Sequence, residues 1–103
     1  MNSKQSFGET IRTLRKERDE PLRVVAAALG IDSTLLSKIE RGERLPTETQ
    51  RIRFAKYFDL PLDQVTAQVI ADKIVTQYGH QATMLQAMKI VKERATAYAK
   101  DHK

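Results

Sequence analysis

Two short helical patterns that meet at one glycine constrain the fold of this chain more than any other feature. Each pattern repeats its apolar residues at helical spacing, which marks one buried face on each helix. The apolar positions of the two patterns are Val25, Ala26 and Leu29, followed by Leu36 and Ile39. Gly30 stands at the corner, where a positive φ is needed, and Ala26 is small enough to let two helix backbones approach closely. The stretch therefore predicts two short helices that cross at a sharp angle.

Capping and breaking residues place further helices around this pair. Ser6 and Glu9 have the spacing of a capping box, which predicts that a helix begins there. Thr47 and Gln50 repeat that spacing, and proline and glycine mark most other ends. The predicted helices run from Phe7 to near Arg18, from Leu22 to Leu29, from Ser33 to about Arg41, from the Thr47 cap to before Asp59, from Pro61 to about Tyr78, and from about Gln81 to Lys100. The inward face of the fourth helix is predicted to consist of Ile52, Ala55 and Phe58 or Tyr57.

The last predicted helix carries an apolar stripe whose spacings alternate between four and three residues, as in a coiled coil. The stripe consists of Met84, Met88, Val91, Ala95 and Tyr98. Either this stripe pairs with a second copy of the chain, or the helix folds back on helix five of the same chain. Because a free two-helix appendage exposes much apolar surface, we expect dimerisation through residues 62–100. The chain is accordingly predicted to comprise a domain at 1–65 and a helical extension at 66–103.

Length and composition allow one small domain with an appendage and exclude several other classes. At 103 residues a second independent core is not expected, and 41% hydrophobic with 30% charged residues is typical of a soluble globular chain. The sequence contains no cysteine, so a disulfide framework and a thiolate metal site are excluded. No apolar run reaches the roughly 20 residues of a membrane span, and the first residues form no secretory segment, so we expect a cytoplasmic protein.

Charge and motifs favour a binding protein over an enzyme. The net charge of +5 suits polyanionic partners, but the excess is spread along the chain and is weak support by itself. The sequence has no glycine-rich phosphate loop, no nucleophile elbow and no paired His-Glu metal motif. No catalytic activity, cofactor or metal site is predicted.

The run Ala26-xxx-Gly30-Ile31-xxxx-Leu36-Ser37-xx-Glu40-Arg41-Gly42 resembles the helix-turn-helix of the lambda-repressor/Cro family, also called the XRE family. Several features match together in one frame, which is more specific than any one of them alone. The resemblance covers about residues 5–65. It implies an all-α fold with a five-helix lambda-repressor-like DNA-binding domain, and double-stranded DNA as the partner. The C-terminal helical extension that follows this domain is predicted from the spacing of its apolar residues.

Candidate DNA contacts lie on the helix predicted to begin at Ser33. Because Leu36 and Ile39 point inward, a helical wheel turns polar and basic residues outward, and the resemblance implies that the early positions contact bases. The base-contacting candidates are Ser33, Thr34, Leu35, Ser37 and Lys38. Leu35 lies beside the exposed face and either meets a thymine methyl or packs inside. The resemblance also implies two further sets, namely phosphate contacts by Arg23, Arg41 and Arg44, and an ion pair of Arg15 with Glu40 that holds this helix to the first one.

These features predict a sequence-specific DNA-binding transcriptional regulator, a dimeric repressor or autoregulator acting on a palindromic operator. One recognition helix covers only a few base pairs, whereas a two-fold dimer presents two such helices about 34 Å apart. The alternative interpretation is an antitoxin or adaptor whose C-terminal helices bind and neutralise an unidentified protein partner. A long amphipathic C-terminal segment is compatible with both.

Overall fold

The computed structural model describes residues 4–101, which form six α-helices and no strand. The helices are α1 (Phe7–Glu17), α2 (Leu22–Leu29), α3 (Ser33–Glu40), α4 (Glu48–Tyr57), α5 (Leu62–Tyr78) and α6 (Met84–Asp101). The predicted all-α fold is confirmed, and the predicted helix ends agree closely with the observed ones except at α6. That helix begins at Met84 and not near Gln81, because hydrogen-bonded turns occupy the residues that follow Gly79.

The helices divide into two compact units, one comprising the residues up to Lys73 and the other the residues from Ile74 onwards. The first unit has a continuous apolar core to which helices α1 to α5 all contribute. The core consists of Phe7, Ile11, Val25, Ala26, Leu29, Leu36, Ile39, Phe54, Ala55, Phe58, Val65 and Val69. Within it, the rings of Phe7 and Phe54 pack edge to face with their centroids 5.2 Å apart, a favourable arrangement for aromatic pairs.

Helix α5 contributes to the first unit beyond residue 65, the predicted end of the N-terminal domain. Val69 is buried in the core, and Asp72 accepts a hydrogen bond of 2.8 Å from the backbone N–H of Phe7. This bond supplies an acceptor to one of the free N–H groups at the start of α1. Burial and the neighbouring charge of Glu9 raise the pKa of Asp72, although the bond from Phe7 acts in the opposite direction.

Three helix starts in the first unit, those of α1, α3 and α4, have the side-chain caps that their sequences predict. Both capping boxes are present, and the side chain of Ser6 accepts from the N–H of Glu9 at 3.1 Å. Asp32 caps α3 by accepting a bond of 2.7 Å from the N–H of Leu35. At the ends of α2 and α3, Gly30 and Gly42 have φ angles of +70° and +76°, a region that residues with a Cβ rarely occupy.

Two further corners share a construction that was not predicted in detail. Asp19 follows α1 and Asp59 follows α4, and both have a φ of +53°. The residue after each aspartate donates its N–H to a carbonyl in the last turn of the preceding helix, at 3.1 and 2.8 Å. Pro21 and Pro61 then open the next helices, because proline lacks the N–H that a helix start leaves unpaired. Aspartate is one of the few residues with a Cβ that tolerates this backbone region.

The predicted inward face of α4 is wrong at one position. Ile52 is 47% exposed, whereas Phe54, which was not predicted, is fully buried. Ala55 and Phe58 are buried and Tyr57 is half-buried, in agreement with the prediction. Ile52 lies three residues before Ala55 and Phe54 lies four residues before Phe58, so helical spacing alone does not choose between them. The choice follows from tertiary packing, because the ring of Phe54 meets the ring of Phe7.

The second unit has no comparable core, since no residue of α6 is buried. Met84 and Met88 are half-buried. The large apolar residues that stand exposed along this helix are Leu85, Ile90, Val91 and Tyr98. No helix among residues 4–101 is long and apolar enough to cross a membrane.

Candidate nucleic-acid interface

Helix α3 is short, and tertiary contacts hold it in place. Leu36 and Ile39 are fully buried, so one side of the helix is sealed against the core of the first unit. Helices of eight residues are marginal by themselves in water. Packing against the first unit, and not the intrinsic stability of the helix, therefore holds α3 with its opposite side facing solvent.

A bidentate ion pair fastens the end of α3 to α1. Arg15 donates from Nε to one oxygen of Glu40 at 2.8 Å and from Nη2 to the other at 3.0 Å. Its Nη1 donates to the carbonyl of Glu20, also in the first unit, at 3.1 Å. The side chains of Arg15 and Glu40 are only 14% and 5% exposed. The hydrogen bond to Glu40 raises the pKa of Arg15, although burial opposes it.

Gly8 lets the same two helices approach each other more closely than any other residue would. A Cβ built on Gly8 would lie 2.2 Å from the carbonyl oxygen of Ile39 and 2.7 Å from that of Glu40. These are backbone atoms, which cannot swing aside as a flexible side chain can. The sequence signal for this contact was a glycine in the first turn of a helix, and the sequence reasoning did not use it.

A side chain of α4 also stabilises the turn at Gly30 between α2 and α3. Arg53 Nη1 donates to the carbonyl of Leu29 at 3.1 Å, which satisfies one of the free acceptors at the end of α2. The same atom would lie 2.7 Å from a Cβ on Gly30. Sequence reasoning missed Arg53, because an arginine in the middle of a helix gives no local sign of a distant carbonyl partner.

The candidate base-contacting residues of α3 differ in exposure. Thr34 is exposed, whereas Ser33, Ser37 and Lys38 are half-buried. Leu35 is partly buried and packs against the apolar core, which leaves only part of its surface available. The structure thus leaves Ser33, Thr34, Ser37 and Lys38 outside the apolar core, whereas Leu35 packs against it.

The candidate phosphate-contacting residues fall into two groups. Arg23 and Arg44 are exposed and have no hydrogen-bond or ion-pair partner among residues 4–101, and Lys38 on α3 likewise has none there. Arg41 differs, because its Nη1 donates to the hydroxyl of Ser37 at 2.8 Å and its Nε pairs with Glu43. Two of its donor groups are therefore already used within the protein.

A small polar cleft of about 200 Å³ lies where α1, the start of α2 and the end of α3 meet. It is lined by Arg12, Arg15, Leu22, Ser37, Glu40 and Arg41. Because Arg15 neutralises Glu40, the cleft keeps an excess of positive charge. Arg12 is exposed and has no partner in the described part of the chain, and it was not among the predicted contacts. Its position one helical turn before Arg15 was the available signal.

The residues predicted to mediate dimerisation lie along α6 with increasing exposure. Met84, Met88 and Val91 line an apolar cavity of about 310 Å³ together with Ile74 and Tyr78 from the end of α5, all within the second unit. Further along the helix, Ala95 is exposed and Tyr98 is 65% exposed. The apolar stripe is therefore a continuous solvent-accessible surface whose first part is concave.

Comparisons with known proteins identify the first unit. A family model described as a helix-turn-helix domain matches residues 6–68, which span α1 to α4 and the first part of α5. Over 44 residues the chain is 48% identical to an uncharacterized HTH-type transcriptional regulator of Mycobacterium bovis and to one of Mycobacterium tuberculosis. That segment is 43% of this chain but only 17% of the length of each relative. No solved structure gives a significant match. Since the family model covers more than half of its residues, the chain belongs to the helix-turn-helix domain family.

Proposed function

We propose that this protein is a sequence-specific DNA-binding regulator of transcription. The observation that carries the proposal is the construction of α3. Its inward side is anchored by buried Leu36 and Ile39 and by the pair of Arg15 with Glu40, while its outward side carries short polar groups. A rigidly held helix with a free polar face is the element that enters the major groove in helix-turn-helix proteins.

Basic side chains that have no partner among residues 4–101 are among the proposed DNA contacts. Lys38 lies on the polar face and can donate to the acceptors of guanine, while Ser33 and Thr34 lie at the start of α3, where base edges are nearest. Arg23, in the first turn of α2, and Arg44, in the loop after α3, are the proposed phosphate contacts. Arg12, beside the polar cleft, is a further phosphate-contact candidate.

The proposal includes dimerisation through the apolar stripe of α6 and a palindromic operator. A second copy of the chain is the occupant that best suits the stripe, because like stripes with alternating spacings of four and three residues pair with each other. A dimer also doubles the base pairs that are read, which one short helix cannot do alone. Bound at a promoter, such a dimer represses by occlusion, and at its own promoter it acts as an autoregulator.

The decisive experiment is selection of bound duplexes from a random pool by the full chain, followed by measurement of binding to the enriched sequence. The expected result is an inverted repeat whose half-sites lie one helical turn apart, about 10 base pairs. Enrichment of single half-sites would keep DNA binding and contradict the dimer. Absence of any enriched sequence would contradict sequence-specific binding altogether.

A second candidate function is that of an antitoxin or adaptor that binds another protein through α6. The observation that favours it is the apolar surface outside the stripe, since Leu85 is 71% exposed and Ile90 is 50% exposed. Substituting both residues with serine tests whether this second surface contributes to dimerisation or to DNA binding. A DNA-binding dimer keeps its mass and its affinity for the selected duplex, because these residues lie off the stripe. A loss of either property would show that this second surface takes part in assembly.

A further inference from the structure

We propose that Arg41 is a positioning residue that makes Ser37 a hydrogen-bond donor to a guanine, and that Arg41 does not act chiefly as a phosphate contact. The inference rests on the proposed DNA-binding function and specifies one part of its sequence readout. It departs from the sequence-based assignment, in which Arg41 contacts phosphate.

The argument starts from the hydroxyl of Ser37. Its oxygen accepts a bond of 2.8 Å from Nη1 of Arg41, one helical turn further along. A helical serine commonly donates its hydrogen to the carbonyl four residues earlier, but Ser37 donates to no acceptor within residues 4–101. One of the two lone pairs of the hydroxyl is therefore engaged by a cation, and its hydrogen is unused. A cationic donor also polarises the hydroxyl, which strengthens the bond that this hydrogen forms.

Arg41 is itself held in place by Glu43. Its Nε pairs with the carboxylate of Glu43. Gly42, with a φ of +76°, turns the chain so that the N–H of Glu43 bonds to the carbonyl of Lys38 at 2.9 Å. Glu43, Arg41 and Ser37 thus form a chain of contacts that ends on the candidate DNA-contacting face of α3.

The polarity of the hydroxyl selects the base. A hydroxyl that already accepts from a cation acts mainly as a donor, and guanine presents two acceptors and no donor in the major groove. Cytosine presents only a donor there and is disfavoured, adenine places a donor beside its acceptor, and thymine offers one acceptor beside its methyl group. A serine without this arginine is a weak reader, because it donates and accepts equally well. The contact with Arg41 therefore favours donation by Ser37 over acceptance, and with it a base that presents acceptors.

The test compares the unmodified chain with Ser37→Ala, Arg41→Met and Glu43→Gln in duplex selection and in binding assays. The unmodified chain should enrich guanine at one position in each half-site. Ser37→Ala and Arg41→Met should both lose that preference while the other positions keep theirs, and Glu43→Gln should weaken it less. Replacing that guanine by 7-deazaguanine should weaken binding of the unmodified chain roughly three- to tenfold, the size expected of one hydrogen bond, and should not affect Ser37→Ala.

The control is Arg44→Met, which removes a cation that has no partner in the described part of the chain. This variant should weaken all sequences alike and reduce the salt dependence by about one charge. The same uniform loss in Arg41→Met, with the guanine preference retained, would overturn the inference and restore the phosphate role. A Ser37→Ala variant with unchanged preferences, or a selected cytosine at this position, would also overturn it while leaving DNA binding intact. If the unmodified chain enriches nothing, the proposed function and the inference fail together.

Discussion

Helices α3 and α6 differ in the way they are stabilised. The shorter helix, α3, buries Leu36, Ile39 and Glu40 and is tied to α1 by an ion pair. The longer helix, α6, has 18 residues and buries none of them. Its length allows it to form with little tertiary support, whereas α3 depends on its surroundings. The comparison shows that the candidate DNA-contacting surface is built into the first unit, while the apolar surface of α6 remains available to a partner.

This contrast has a consequence for mutations. Changes in the residues that contact α3 should unfold or displace it, because its position comes from close contacts with α1 and α2. Changes on α6 should leave the first unit intact and alter only assembly. Four substitutions with matched controls test this division, and a fifth tests the contact between α5 and α1.

Phe54→Ala should have the largest effect, because it removes a fully buried ring from the core beneath α3. The free energy of unfolding should fall by about 4 kcal/mol in chemical denaturation. Ile52→Ala, on the same helix but 47% exposed, should cost less than about 1 kcal/mol. Equal losses would contradict the observed orientation of α4.

Glu40→Ala should lower the free energy of unfolding by about 3 kcal/mol, because the largely buried Arg15 then loses its partner. Glu43→Ala breaks an ion pair whose two side chains are about half exposed and should change stability by less than about 1 kcal/mol. Thermal or denaturant unfolding of the two variants measures the difference. A small effect of Glu40→Ala would mean that the pair with Arg15 does not hold α3 against α1.

Gly8→Ala should cost about 2 to 3 kcal/mol, since the new methyl group would overlap the backbone at the end of α3. Gly42→Ala meets no atom within 4 Å and should cost only about 1 kcal/mol, from its positive φ. DNA binding adds a second readout, because only Gly8→Ala pushes α3 away from α1. Wild-type stability of Gly8→Ala would contradict the close approach of the two helices.

Met88→Glu should weaken self-association at least about tenfold, or about 1.4 kcal/mol, because it places a charge on the apolar stripe. Lys89→Glu changes the neighbouring exposed residue outside the stripe and should leave the mass unchanged in sedimentation equilibrium. Denaturation of the first unit should be the same in both variants. If the mass of Met88→Glu equals that of the unmodified chain, the dimer interface lies elsewhere or does not exist.

Asp72→Asn should have the smallest effect, and it depends on pH. Because burial raises the pKa of Asp72 above its ordinary value of 3.8, its contribution to stability is present below that value and is lost as pH rises through the folded-state pKa. Asparagine can still accept the bond from Phe7 but does not ionise. The variant should therefore gain stability relative to the unmodified chain as pH rises from about 3 to 6, by less than about 1 kcal/mol. A pH-independent difference would contradict the shift.

The sequence by itself determined the helices, their caps and the corner at Gly30, because these depend on residues a few positions apart. It also indicated the polar face of α3, since two buried positions suffice to orient a short helix. Tertiary structure alone decided that Phe54 and not Ile52 enters the core, that Gly8 lets α3 approach α1, and that Arg53 caps α2. It also decided that Arg41 contacts Ser37 and Glu43 while Arg23 and Arg44 remain unpaired. The physical reason is that helical periodicity orients a residue about its own axis, whereas the atoms it meets belong to segments far away in the chain.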